Sequence, residues 1–179
     1  MNEHYIEIFG NLKTDKSKSR WNAQTTFRAP HKPLLLLAII DRFAEGAYAN
    51  NLIEFDDDLS EFFAIYWSLV DPPSIYGNIA MPLYHLESDT FWHLLPRKGY
   101  EERLKYGGKI HSIRKLRETV YGAKLNDDLY ELLQQQEARD TLRTVLINTY
   151  FAPELRQKLI QQGKINLESY FYSQDLLAK

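Results

Sequence analysis

Residues 28–33 read RAPHKP and run directly into LLLLAII. Arginine, histidine and lysine are the side chains that hold an anion, and here they crowd the point where an apolar helix must begin. Proline at position 33 suits a first helical turn, since the N–H it lacks is one that turn leaves unpaired. The pattern predicts a helix over residues 33–45 that stops at Gly46, with its free amides facing the same way as His31 and Lys32. Such an arrangement binds anions, phosphate most commonly. A polar end on a buried core helix also explains the triplet, so other residues must separate the two readings.

Other kinds of chemistry find little support. Histidines stand at 4, 31, 85, 93 and 111 without HxxxH or HExxH spacing, which argues against a zinc hydrolase. His85 and His93 are placed to approach each other across a hairpin, although a solvent-facing pair on two strands is the commoner explanation. Asp56, Asp57 and Asp58 lack the glycine and distal glutamate of a calcium loop and read as helix-capping acids. There is no GxSxG elbow, no Walker loop and no dinucleotide fingerprint. The chain is expected to bind rather than to break bonds, with no catalytic residue, no metal and no cofactor.

The elements that must position these residues fit a single domain over residues 1–179. At 21.1 kDa such a chain buries roughly 70% of the surface its unfolded form exposes. Cysteine is absent, which removes disulfides and thiolate metal sites and agrees with a reducing compartment. The longest apolar run, residues 33–40, is too short to cross a bilayer, and no signal-like segment follows Met1. A cytoplasmic protein with no membrane partner is expected.

The formal net charge is −2, but the charge is unevenly spread. Residues 41–61 hold seven acids against Arg42 alone. Residues 95–124 hold nine bases against three acids, and residues 1–33 hold six against three. Should the two basic segments share a face, the molecule is polarised, with a basic side suited to a phosphate backbone.

Apolar periodicity gives mostly helix. Besides the leucine helix, it predicts one capped by Asp57 or Asp58 and running to about Leu69, with Phe62, Phe63, Tyr66 and Trp67 inward. Pro72 and Pro73 follow it. Ser112 is placed to cap a helix to about Tyr121, Asn126 another over 127–136, and residues 138–151 form an amphipathic helix. Pro153 opens a last one ending near Gly163. Residues 51–55 read as a short strand, residues 99–108 as a basic loop, and residues 79–86 and 91–95 as a hairpin joined by four residues. Pro82 in mid-strand implies an exposed edge, whereas Trp92 reads as core. The expected fold class is mostly α, an α+β helical domain with a small β-hairpin, winged-helix-like.

RAPHKPLLLL, MPLYHL with SDTFW, HSIRKL and LINTYFAPELRQKLIQQG occur in the order seen in the sulfur-binding domain of phosphorothioate-dependent HNH restriction endonucleases, a type IV restriction family. The resemblance covers about residues 21–163. It implies recognition of double-stranded DNA in which sulfur replaces a non-bridging phosphate oxygen, in a sequence-dependent manner. Matched to the family motifs, Pro82 contributes its ring to an apolar sulfur pocket. Met81 stands where the family often has an aromatic, and Tyr84, His85 and Lys32 complete the pocket or border it. His31 and Lys32 match the basic pair at the helix start. Together with Arg28 they are implied as DNA contacts, as are His111, Ser112, Arg114 and Lys115 of the HSIRKL segment.

The 179 residues contain no HNH motif, so the chain is expected to be the reading part of a longer nuclease or a reader that stands alone. Two other classes use the same residues. A winged-helix regulator would have the basic face but no sulfur preference. A protein-interaction domain would hold Pro82, Tyr84, Phe91 and Trp92 as ordinary core.

Overall fold

The computed structural model describes residues 3–72, 77–108 and 110–179; Pro73 and Lys109 lie outside them. The leucine run forms α2 (His31–Ala44) at the centre of the molecule. Leu34 to Ile40 are all at most 2% exposed. A helix apolar on every side must be covered on every side, and α3 (Asp57–Val70), α4 (Ala80–His85), α8 (Gln136–Tyr150) and α9 (Pro153–Leu177) cover this one. The helix begins two residues before Pro33, with Pro30 at its N-cap. Both prolines thus fall where no intrahelical N–H is required. Beyond the C-cap Glu45, Gly46 takes a left-handed φ of +74°, which suits glycine.

Helix α1 (Glu3–Gly10) buries Tyr5 and Phe9 and packs on α8. Helix α3 is capped by Asp56, whose Oδ1 accepts the Leu59 N–H at 2.9 Å, one residue earlier than the sequence predicted. It ends at Asp71, in left-handed conformation just before Pro72. Phe63 and Tyr66 are buried on it.

The fold class is as expected, mostly helical with a two-stranded antiparallel sheet, but the strands are not those predicted. Residues 79–86 form no strand. They make α4 and a 3-10 turn over Leu86–Asp89. Asn78 starts α4 by accepting the Ala80 N–H on Oδ1 at 3.0 Å, and Pro82 lies in its first turn, where its missing N–H is harmless. Over so short an apolar run, helix and strand periods cannot be told apart. The inference from a mid-strand proline to an exposed edge therefore does not apply.

Strand β1 (Trp92–Pro96) pairs instead with β2 (Val120–Leu125), in a register that opposes Trp92 to Leu125. Between them lie α5 (Glu101–Tyr106), in the segment read as a loop, and α6 (Ile113–Thr119). Residues 51–55 contribute one bridge, Ile53 to Ala123. Gly122 allows that approach, since a Cβ there would sit 2.6 Å from the Ile53 carbonyl oxygen. Trp92 is fully buried, stacks on Phe55 and donates its indole N–H to the Leu83 carbonyl at 2.9 Å.

After α7 (Asp127–Leu133) and α8, α9 continues past Gly163 to Leu177. Gly163 is a packing glycine rather than a stop: a Cβ there would lie 3.4 to 3.6 Å from Arg143, Tyr66 and Asp41. Asp41, 2% exposed, accepts Arg143 Nη2 at 2.6 Å, Asn166 Nδ2 at 2.8 Å and the Tyr66 hydroxyl, so one carboxylate ties α2, α3, α8 and α9 together. Burial pushes its carboxyl above the usual range, against the pull of Arg143, and pushes the Tyr66 phenol well up.

Candidate functional site

The N-terminal end of α2 opens into a cleft of about 1170 Å³. Three pieces of chain build it: the arm over residues 13–21, the start of α2, and α4 with the 3-10 turn after it. His111 closes one side.

Helix α4 supplies the apolar wall. Residues three and four apart share a helical face, so Met81, Pro82 and His85 line the cleft together. Pro82 is buried and Met81 half-buried, and Ala29 and Trp21 add further carbon. Tyr84, expected beside Pro82, is not among the lining residues. It packs against the core and meets the His85 ring edge-on at 5.1 Å.

His31 forms part of the floor and is held by two indoles, Trp21 at 5.7 Å between ring centroids and Trp67 at 4.6 Å. Trp21 is fixed in turn by its N–H, which donates to Asp15 Oδ2 at 3.1 Å. Asp15 also anchors the arm through its carbonyl, which accepts the Ala29 N–H at 2.8 Å. Further back, the buried Tyr150 hydroxyl accepts the Leu12 N–H at 2.8 Å and donates to the Phe9 carbonyl at 2.7 Å. Its pKa is pushed up to about 12, chiefly by burial.

Lys32 lines the cleft but is only 6% exposed. Its ammonium meets Asp89 Oδ2 at 2.5 Å, the Lys13 carbonyl at 2.6 Å and Ser88 Oγ at 3.2 Å. The expected phosphate-binding amine thus has an internal counter-ion, because a charge taken out of water needs a partner. The exposed cations at the rim are Lys13 and Arg20, whose side chain is 72% exposed and only loosely paired with Asp15 at 3.5 Å.

The remaining candidates are spread more widely. His111 lines the cleft, and its carbonyl accepts a hydrogen bond from Asn78. Arg28 is directed at the Tyr150 ring, 5.4 Å from its centroid. Ser112 caps α6 by accepting the Lys115 N–H at 3.1 Å, Arg114 pairs with Glu118 at 3.5 Å on the surface, and Lys115 is exposed. His93 meets Asn126 Oδ1 at 2.6 Å on the sheet. Sequence reasoning assigned no role in the site to Thr14, Asp15, Ser19, Arg20 and Trp21. The signal available was a run of bases and small polar residues leading into a lone tryptophan.

Among the described residues no group of three or more His, Cys, Asp or Glu is placed to hold a metal ion. No described helix is long and apolar enough to cross a membrane. The cleft thus combines a carbon wall from Met81, Pro82 and Ala29 with the exposed cations Lys13 and Arg20.

Among solved structures the chain is similar to the sulfur-binding domain of SprMcrA complexed with phosphorothioated DNA, at 16% identity and a TM-score of 0.61, over 93% of this chain and 95% of that one. It is also similar to the sulfur-binding and SRA domains of ScoMcrA complexed with phosphorothioated DNA, at 22% identity and 0.58, over 82% of this chain and 42% of the other. The sulfur-binding domain of ScoMcrA alone gives 20% and 0.57, over 93% and 97%. These likenesses show the fold. No curated protein matches. The pattern that defines the ScoMcrA-like DNA sulfur-binding domain matches residues 3–168, a longer stretch than the motifs alone marked out, and the chain belongs to that family.

Proposed function

We propose that this chain reads phosphorothioate-modified double-stranded DNA, with the cleft before α2 as the place where the modified phosphate is inspected. The observation that carries the reading is the composition of that cleft. Pro82, Met81 and Ala29 offer carbon beside the ring of His31, while Lys13 and Arg20 stand at the rim. A phosphate oxygen is small and tightly hydrated, so pressing it against carbon costs desolvation. Sulfur is larger and softer and loses less. A methionine sulfur is itself polarizable and suits such a wall where a relative would present an aromatic ring. Rim cations attract any duplex, and the wall discriminates.

Family membership and the phosphorothioated DNA held by the similar domains support the same reading. One similar structure is that of a type IV phosphorothioation-dependent restriction endonuclease, 29% of which this chain covers at 22% identity and a TM-score of 0.55. By analogy the chain serves as the reader of a modification-dependent restriction system, with cleavage left to an HNH nuclease domain. His111, Ser112, Arg114 and Lys115 lie on the strand of chain entering α6 and on its first turn. They are the proposed source of contacts along the duplex that make recognition sequence-dependent.

Fluorescence anisotropy on two duplexes of one sequence, one carrying a single stereodefined phosphorothioate, tests this. Tighter binding of the modified duplex is expected. Equal affinities would refute the reading and favour a regulator without sulfur preference. No binding to either duplex at low salt would favour an interaction domain.

A further inference from the structure

We propose that Lys32 and Asp89 form a buried latch that sets the width of the cleft, so that Lys32 is a positioning residue rather than a contact to the DNA backbone. The inference rests on the proposed reading of the cleft. Asp89 is buried, and its two oxygens have separate tasks. Oδ2 takes the Lys32 ammonium at 2.5 Å, and Oδ1 accepts the Lys13 N–H at 2.8 Å. Lys32 then donates to the Lys13 carbonyl at 2.6 Å and to Ser88 Oγ at 3.2 Å, while Ser88 donates to the His85 carbonyl at 2.9 Å.

Both backbone groups of Lys13 are therefore held by one ion pair. That pair joins all three walls of the cleft: the arm, the N-terminal end of α2, and the turn that follows Pro82 and His85. The arm has no ladder of its own here, since residues 12–16 form neither helix nor strand. With side chains 8% and 3% exposed, the two charges have too little access to water to exchange partners with a passing phosphate at small cost. The geometry specifies where the arm lies against α4, and so how closely a phosphate edge meets the Met81 and Pro82 wall.

The test uses wild type, Lys32→Met, Asp89→Asn and the double variant Lys32→Met/Asp89→Leu. The double variant fills the space with apolar volume and leaves no unpaired charge, so it supplies a folded protein should a single variant fail. A latch makes the modified-to-unmodified affinity ratio fall at least fivefold in Lys32→Met and in the double variant, with the salt dependence unchanged. It also makes the Lys13 amide exchange with solvent at least tenfold faster in the DNA-free double variant. A direct phosphate contact would instead make the salt slope of Lys32→Met shallower by about one unit with the ratio intact. It would also make Asp89→Asn, which frees a positive charge, bind both duplexes more tightly. Either of those results overturns the latch. Equal binding of the two duplexes by wild type would overturn the reading of the cleft, and amide exchange in the free protein would still decide whether the latch exists.

Discussion

Helix α2 carries two ion pairs, each built on a buried aspartate, and they are made from different kinds of partner. Near its start Lys32 pairs with Asp89, and the pair spends its remaining bonds on the backbone of Lys13 and on Ser88. Nine residues later, about 14 Å along the axis at 1.5 Å per residue, Asp41 is satisfied by side chains alone, from Tyr66, Arg143 and Asn166. Those three residues belong to helices that hold their own shape. Lys13 belongs to an arm that does not. The same device fixes helices to one another at one end of α2 and shapes an open cleft at the other. Burial of a charge is therefore no guide to function until the partner's own rigidity is known.

The comparison breaks most visibly at Asp41. Asp41→Ala leaves Arg143 with only the more exposed Asp140, at 3.4 Å, and removal of one partner from a buried pair costs about 3–5 kcal/mol. For a chain of this length that corresponds to a fall of roughly 10 °C in melting temperature. Thermal denaturation followed by circular dichroism should show it. The affinity ratio for modified over unmodified duplex, measured on the protein that stays folded, should hold.

Pro82→Ser reverses the pattern. It opens the carbon wall to water, and a few buried carbons at about 0.8 kcal/mol each put the loss at roughly 1–2 kcal/mol of discrimination, or about tenfold in the ratio. Matched-duplex anisotropy reads this directly. A stability change larger than that of Asp41→Ala would mean that Pro82 is core, and that the two ends of α2 do not differ as described.

Independence of the two ends can be sharpened by combining the changes. Sites farther apart than about 7–10 Å usually add within roughly 0.5 kcal/mol, so Asp41→Asn with Pro82→Ser should show the stability loss of one and the selectivity loss of the other. Coupling beyond that range would mean that α2 transmits strain between them.

The smallest effect is expected at the rim. Arg20→Ala removes an exposed charge, so it should weaken both duplexes by a similar factor and make the salt slope shallower by about one unit, with selectivity kept. Titration at several salt concentrations checks this. A flat salt response in wild type would remove the electrostatic role given to the rim.

Much of this molecule is legible without coordinates, and the exceptions share a cause. The leucine helix and its basic N-terminal triplet are clear because seven consecutive apolar residues have one home, the centre of a core, and because proline and glycine bracket them. Helix α3 follows from an acidic cap and its period, α7 and α8 from period alone, and the start of α9 from Pro153; Asn126, expected to cap α7, makes no cap bond and its side-chain oxygen meets His93 instead. Residues 79–86 were legible as apolar but not as helix. That one choice decides the wall: on a strand Pro82 and Tyr84 share a face, whereas on α4 Pro82 shares one with Met81 and His85. Gly163, which reads as a stop, is where α9 passes closest to Arg143, Tyr66 and Asp41.

By itself the sequence determined what depends on neighbours along the chain: a buried helix entered through histidine and lysine, a polarised distribution of charge, an order of motifs that marks the family. Only the tertiary structure decided which charges are spoken for. Lys32 and Asp89 are 57 positions apart, and Asp41 and Arg143 are 102 apart. A lysine aimed at solvent and a lysine neutralised by a distant aspartate have the same local sequence, because the cost of burying a charge is met by whichever partner the fold brings within hydrogen-bond distance.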